Sequence, residues 1–283
     1  MASFRKAERK QVKLKIGISA PSGAGKTYSS LLIAHGICGD WSKIAVIDTE
    51  NGSGELYSDL GDYSVCPISP PFTPQKYREA IHEAEKEGFE VLIIDSLSHA
   101  WSGEGGMLDM QNNAVKASRS GNSYVAWREV TPEHNRLVDA ILQSPMDVIV
   151  TTRAKAEYVV TDENGKKGYK KIGLAPIFRD GLEYELTTFF DMTQEHLANA
   201  SKDRTGLFGA NDFFIPTEET GKKLDAWRKS STAEYKCCVC GKVISQKLYN
   251  QSIEKYDVAL CSKECLDKCE KGVLEAEKKE KKE

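Results

Sequence analysis

The chain has 283 residues, with 39 Lys and Arg set against 42 Asp and Glu, and 40% of its side chains are hydrophobic. This is the balance of a soluble globular protein with room for one full domain and a small appendage; no run of 18 apolar residues is present to span a membrane. A net charge of −3 removes the globally basic character of the simplest nucleic-acid binders, so any such surface has to be sought segment by segment.

Residues 1–15 hold six basic residues and one acidic residue, a basic N-terminal segment with no apolar stretch of the secretory kind behind it. The cytoplasm is therefore the expected compartment. A core of residues 12–230 follows. Residues 12–19 alternate apolar and polar, run into a small-residue loop and continue as KTYSSLLIAHGI with helical spacing, a strand–loop–helix order. The loop, Ala20-Pro21-Ser22-Gly23-Ala24-Gly25-Lys26-Thr27, fits the P-loop pattern with Ala20 where the first Gly is usual. Gly23 and Gly25 let successive backbone N–H groups turn onto phosphate oxygens, and the following helix adds its positive end. Lys26 would reach the β- and γ-phosphates, the Thr27 hydroxyl would ligate Mg²⁺, and Tyr28 extends the nucleotide-binding stretch.

Two short apolar runs, KIAVID (43–48) and FEVLIID (89–95), read as strands buried on both faces of a parallel sheet. The first delivers Glu50 to the sheet edge, where a carboxylate can orient and deprotonate an attacking water. The second delivers Asp95, the acidic partner that a P-loop requires near its metal. Between them, a Thr-Pro start at residue 73 and a stop at Gly88 bracket one helix. A second Thr-Pro pair, Thr131-Pro132, is expected to open the helix that leads into the strand DVIVTT (147–152). The β-α-β alternation predicts an α/β fold with a mostly parallel central sheet and helices on both faces. Beyond residue 153 the pattern becomes antiparallel, with a hairpin over 154–172 around Asn164-Gly165 and a second strand pair after it. A last helix is expected over 217–230.

Six of the eight cysteines crowd together after residue 236. Cys237-x2-Cys240 and Cys261-x3-Cys265 form two pairs of soft ligands suited to a structural Zn²⁺ in a module of residues 234–272. Cys238 could replace Cys237, and Cys269 lies one helical turn beyond Cys265. Residues 273–283 form a charged tail. The five histidines show no ligand spacing and read as structural.

Glu50, closing Asp48-Thr49-Glu50, resembles the catalytic glutamate of the RecA family, and Asp95-Ser96 resembles that family's Walker B strand. Ser201-Lys202-Asp203-Arg204-Thr205-Gly206 resembles the Lys-x-Arg-x-Gly motif of RadA and the hexameric replicative helicases, in which the cations reach a neighbour's γ-phosphate. Lys202 and Arg204 would then act across a subunit boundary; a basic β-turn is the alternative. With GISAPSGAGKTYSSLL, VIDTENG, VLIIDSLSHAW, VIVTTRAK and the KIGLAPIFRDGLEYELTTFFDMT stretch, the ordered set resembles the phage-encoded RecA-like ATPases linked to single-strand annealing and recombination.

That resemblance implies ATP hydrolysis, single-stranded DNA as partner, a homo-oligomer in ring or filament form, a single-strand-binding protein as a further partner, and a bacterial host cytoplasm. A translocating helicase and a nucleotide switch with a protein-binding zinc finger are the alternatives. Where RecA has an Asn-Gln pair this chain has Thr151-Thr152-Arg153, so Thr152 or Arg153 is the candidate nucleotide sensor. By the same resemblance the DNA loops would be residues 102–124 and the hairpin 154–172. The hairpin carries Lys155, Lys166, Lys167, Lys170 and Lys171 with Tyr158 and Tyr169 interleaved, cations for phosphates and ring faces for unpaired bases. The CxxCG knuckle and LCSKEC half resemble treble-clef and related zinc fingers.

Overall fold

The computed structural model describes residues 12–118, 121–163, 166–209, 212–230, 235–244, 246–256 and 258–269, with the side chains of 156–163, 166–174, 235, 246, 247, 250 and 254 left aside. The described residues fall into two compact units, one ending at Arg228 and one following it. The basic segment up to residue 11, the Asn164-Gly165 turn and the tail after residue 269 lie outside the described residues.

The larger unit is an α/β layer structure. In chain order its elements are β1 (Lys15–Ala20), α1 (Lys26–Cys38), β2 (Ile44–Asp48), β3 (Ser64–Pro67), α2 (Pro74–Glu87), β4 (Val91–Asp95), α3 (Ser98–Ser102), α4 (Met107–Ala117), α5 (Ser123–Gln143), β5 (Asp147–Glu163), β6 (Lys166–Pro176), α6 (Leu182–Glu185), β7 (Thr188–Met192), β8 (Ala198–Asp203) and α7 (Glu218–Ser230). The sheet runs β3-β2-β4-β5-β1-β7-β8, parallel throughout except for β8, which returns antiparallel to β7. Every residue of β1, β2 and β4 is buried, as their unbroken apolar runs require of strands covered on both faces.

Alternation divides the core in two. Ile16, Ile18, Val46, Ile93 and Ile149 face α1, packing with Leu31, Ile33 and Leu224. Ala45, Ile47, Leu92, Ile94, Val148 and Val150 face α2 and α5, packing with Tyr77, Ile81, Leu137 and Ile141. The helix ends follow the sequence signals: Thr73 and Pro74 start α2, while Gly39 and Gly88 end α1 and α2 in left-handed backbone.

Two expectations are corrected. Residues 102–124 are not one loop: Met107 and Gln111, one turn apart and buried, anchor α4, with Gly103, Gly105 and Gly106 before it and Gly121 after it. α5 begins at Ser123, capped by Asn122 Oδ1, and carries Thr131-Pro132 in its interior. Pro132 is exposed there, and the buried stripe Ala126, Val130, Leu137 and Ile141 holds the helix through it.

The long β5 pairs with β1 up to Arg153 and with β6 from Ala154 onward, antiparallel, to Glu163↔Lys166. Ten residues of hairpin thus leave the sheet as an arm, extending about 30 Å at the rise of a strand. At the opposite edge of the sheet Asp147 accepts from Leu14 N at 2.7 Å and from Arg228 at 2.7 and 2.9 Å, while the buried Lys15 Nζ donates to the carbonyls of Ser144 and Met146 at 2.9 and 2.7 Å.

In the second unit β9 (Tyr235–Lys236) and β10 (Val243–Ile244) pair antiparallel around the first cysteine pair. α8 (Gln246–Tyr256) follows, and residues 263–269 are helical after the second pair. Cys237, Leu260 and Cys265 form its small core with Val239, Val258 and Leu266.

Candidate active site

The C-terminal edges of β1, β2, β4 and β5 converge on one cavity of about 820 Å³, lined by Gly23, Gly25, Lys26, Thr27, Glu50, Asp95 and Arg153 among others. This is where ligands of parallel sheets bind. Gly23 and Gly25 both take left-handed backbone, φ 80° and 83°, the conformation the loop needs and L side chains avoid. Ala20, by contrast, ends β1 as ordinary strand with its methyl group in the core, so the usual Gly is not required there.

Lys26 Nζ donates to the carbonyls of Ala20 and Pro21 at 3.2 and 3.1 Å. Burial pulls its pKa below the ordinary lysine value against the charges of Asp95 and Glu50. The Thr27 hydroxyl donates to Asp95 Oδ2, and Thr151 Oγ1 donates to Asp95 Oδ1 at 2.6 Å. Asp95 is fully buried, and burial raises its pKa in spite of those two hydrogen bonds. A hydroxyl and a carboxylate placed together beside the loop are the hard oxygen donors Mg²⁺ prefers, so the residues fit that ion.

Glu50 follows Asp48, whose carboxylate folds the loop after β2 by accepting from Glu50 N at 2.6 Å and Gly54 N at 3.0 Å. Glu50 Oε1 accepts from Ser96 Oγ at 2.8 Å and Arg153 Nε at 2.9 Å, and Oε2 accepts from Arg153 Nη2. Burial alone would raise this carboxyl; the hydrogen bonds from Arg153 and Ser96 and the guanidinium charge outweigh it and hold the pKa below the ordinary glutamate value. Next to it, Thr49 Oγ1 meets His99 Nδ1 at 2.8 Å, and Tyr77 OH donates to the Ser96 carbonyl at 3.2 Å.

Other residues of the cavity have no local sequence signal. The β7–β8 turn lies against the P-loop: Gln194 Nε2 donates to Ser22 O at 3.2 Å, and His196 Nδ1 lies 3.1 Å from Ala24 O. His196 therefore has a place beside the loop that its isolation in the sequence did not suggest. Leu32, Tyr57, Ile215 and Pro216 give the cavity an apolar part, with Tyr28 edge-on to Tyr57 at 5.4 Å between ring centres. Only long-range packing brings these segments together.

Of the remaining sequence candidates, Thr152 is fully buried beneath the site, and it is Arg153 that lines the cavity. Lys202 Nζ donates to the carbonyls of Tyr184 and Leu186, and Arg204 Nη2 to that of Tyr184, away from this chain's own cavity. Lys155 is exposed at the base of the arm. The side chains of Lys166, Lys167, Lys170 and Lys171, and of Tyr158 and Tyr169, lie outside the described residues.

In the second unit the sulfurs of Cys237, Cys240, Cys261 and Cys265 all lie within 4.8 Å of one another, with Cys240–Cys261 at 3.4 Å and Cys261–Cys265 at 3.5 Å. Four sulfurs bound tetrahedrally at 2.3 Å would be about 3.8 Å apart, so the set fits a structural zinc module. Cys238 and Cys269 are outside this cluster.

No curated protein matches the chain. Residues 12–226 match a family model described as AAA domain. With the P-loop, its acidic partner and the parallel sheet that presents them, this match places the chain in the AAA domain family, as a protein built around a P-loop ATPase-type domain.

Proposed function

We propose that the chain is a Mg²⁺-dependent ATPase of RecA-like type that acts on single-stranded DNA in recombination or strand annealing. The observation that carries the ATPase reading is the convergence of Lys26, the Thr27–Asp95 pair and Glu50 on one cavity. The P-loop N–H groups take the phosphates, and Lys26 exchanges its two carbonyl partners for β- and γ-phosphate oxygens. Thr27 and Asp95 hold Mg²⁺, which neutralises charge on the phosphates when bound. Glu50 orients and deprotonates the attacking water. The apolar part at Leu32, Tyr57 and Ile215 takes the base.

The DNA reading is supported by the arm, whose sequence puts Lys155, Lys166, Lys167, Lys170 and Lys171 on one two-stranded hairpin. Lys202 and Arg204 would supply the neighbouring site in a ring or filament, and Cys237, Cys240, Cys261 and Cys265 would hold a structural Zn²⁺. ATP turnover measured with and without single-stranded DNA tests both layers. The expected result is turnover that rises with DNA. Turnover indifferent to DNA would end the recombination reading and leave the ATPase standing.

A further inference from the structure

We infer that the β7–β8 turn is a clamp on the P-loop, with His196 and Gln194 as positioning residues that hold two of the loop's peptide groups in the orientation a phosphate requires. The inference rests on reading residues 20–27 as the phosphate site. A trans peptide carries its C=O and its N–H on opposite sides. Gln194 Nε2 holds the carbonyl of Ser22, whose peptide partner is the N–H of Gly23, and His196 Nδ1 holds the carbonyl of Ala24, whose partner is the N–H of Gly25. A carbonyl only accepts, so Nδ1 of His196 carries the hydrogen. Both glycine N–H groups are therefore fixed facing away from the turn, in residues whose left-handed backbone, φ 80° and 83°, has no side chain to restrict it. Lys26 Nζ also takes loop carbonyls, those of Ala20 and Pro21, but it has to leave them to reach a phosphate, whereas the bonds from the turn can persist.

The backbone of the turn points the same way. Thr193 N donates to Leu197 O at 2.8 Å and His196 N to Thr193 O at 3.1 Å, which closes the turn tightly. Phe190, Met192 and Ala198 fasten its two strands into the core cluster that also holds Ala20 and Ala24. His196 takes left-handed backbone, φ 63°, a position at which Gly or Asn is the usual choice. Turn chemistry alone does not ask for histidine there; the reach of Nδ1 to Ala24 O does. The ring also lies against Gly25, because a Cβ at that glycine would come within 3.2 Å of His196 Nδ1. Gly25 is the N-cap of α1, and its carbonyl accepts from Ser29 N at 2.9 Å. The peptide held by His196 is thus the one that joins the loop to the helix whose positive end adds to phosphate binding.

The test measures three quantities on the full chain: the Kd of ADP with Mg²⁺ by titration calorimetry, the KM and kcat of ATP turnover, and the thermal midpoint without nucleotide. It compares wild type with His196→Gly, His196→Asn, Gln194→Ala and Lys26→Ala. His196→Gly deletes the donor and leaves the left-handed backbone unstrained, so it should fold as wild type does. Its Kd for ADP and KM for ATP should each rise about 5-fold, the scale of one hydrogen bond, with kcat within about 2-fold of wild type. Gln194→Ala, at an exposed position of the turn, should act in the same direction and repeats the test should the glycine variant fold poorly. His196→Asn places an amide nitrogen as many bonds from Cα as Nδ1 and tolerates the backbone, so it should restore most of the affinity. Wild-type ADP affinity in both His196→Gly and Gln194→Ala overturns the clamp. So does an affinity loss in His196→Gly that comes with a matching fall in thermal midpoint and is not restored in His196→Asn, because the turn would then only support the fold. Lys26→Ala should bind ADP about 10-fold more weakly or worse; if it binds as wild type does, the phosphate reading of the loop fails instead, whatever the turn variants show.

Discussion

Thr27 at the first turn of α1 donates its hydroxyl hydrogen to Oδ2 of Asp95 at the end of β4, 68 residues away. The two groups that would share a metal ion are therefore already in contact, and Thr151 holds the other carboxylate oxygen. Removing the hydroxyl should weaken Mg²⁺ more than nucleotide. In Thr27→Ala the half-saturating Mg²⁺ for ATP turnover should rise by about 10-fold or more, whereas Lys26→Ala should lower maximal turnover by about 100-fold at any Mg²⁺ concentration. A Thr27→Ala protein with a wild-type Mg²⁺ titration would remove Thr27 from the metal site.

The arm makes a separate prediction. Changing Lys166, Lys167, Lys170 and Lys171 together to Ala should weaken single-stranded DNA binding and reduce the slope of log K against log salt by about 0.7 for each phosphate no longer neutralised. Fluorescence anisotropy at several salt concentrations measures both. If affinity and slope stay as in wild type, DNA binds elsewhere.

The cysteine cluster should bind one zinc per chain, and so small a core should depend on it. Cys240→Ser should lower the zinc content measured on purified protein and make the C-terminal unit sensitive to proteolysis, with ATP turnover as the control for the larger unit. Cys238→Ser should change neither, because Cys238 is outside the four-sulfur cluster. Undiminished zinc in Cys240→Ser would exclude that ligand.

Lys15 gives the larger unit a pH signature. Burial lowers its pKa from 10.5 to about 8, against the raising effect of Asp147. Between those values the unfolded chain binds a proton that the folded chain does not, so stability contributed at this site rises with pH across that window. Relative to Lys15→Met, wild type should gain on the order of 2 kcal/mol between pH 7 and pH 10, read from denaturant unfolding. A constant difference between the two proteins would show that Lys15 keeps its ordinary proton affinity when folded.

How much of this could be read in advance depends on how local each feature is. The placement of the P-loop, Asp95 and Glu50 at one edge of the sheet was legible because short apolar runs announce the strands that end there. The cysteine pairs were legible for a similar reason, as ligand spacing is a property of neighbouring residues. The start of α5 was misjudged because an exposed proline is tolerated once a buried stripe holds the helix on both sides of it. α4 was hidden by the glycines that precede it.

The sequence by itself determined the alternation of elements, the phosphate loop and the spacing of the cysteine pairs, since each depends on a few adjacent residues and their backbone preferences. Only the tertiary structure decided that Arg153 grips Glu50 across 103 residues, that the β7–β8 turn rests on the P-loop, and that Tyr57 and Ile215 share one cavity. Those relationships arise from strand order and register, which are fixed by the packing of whole faces against one another, and no local run of residues records them.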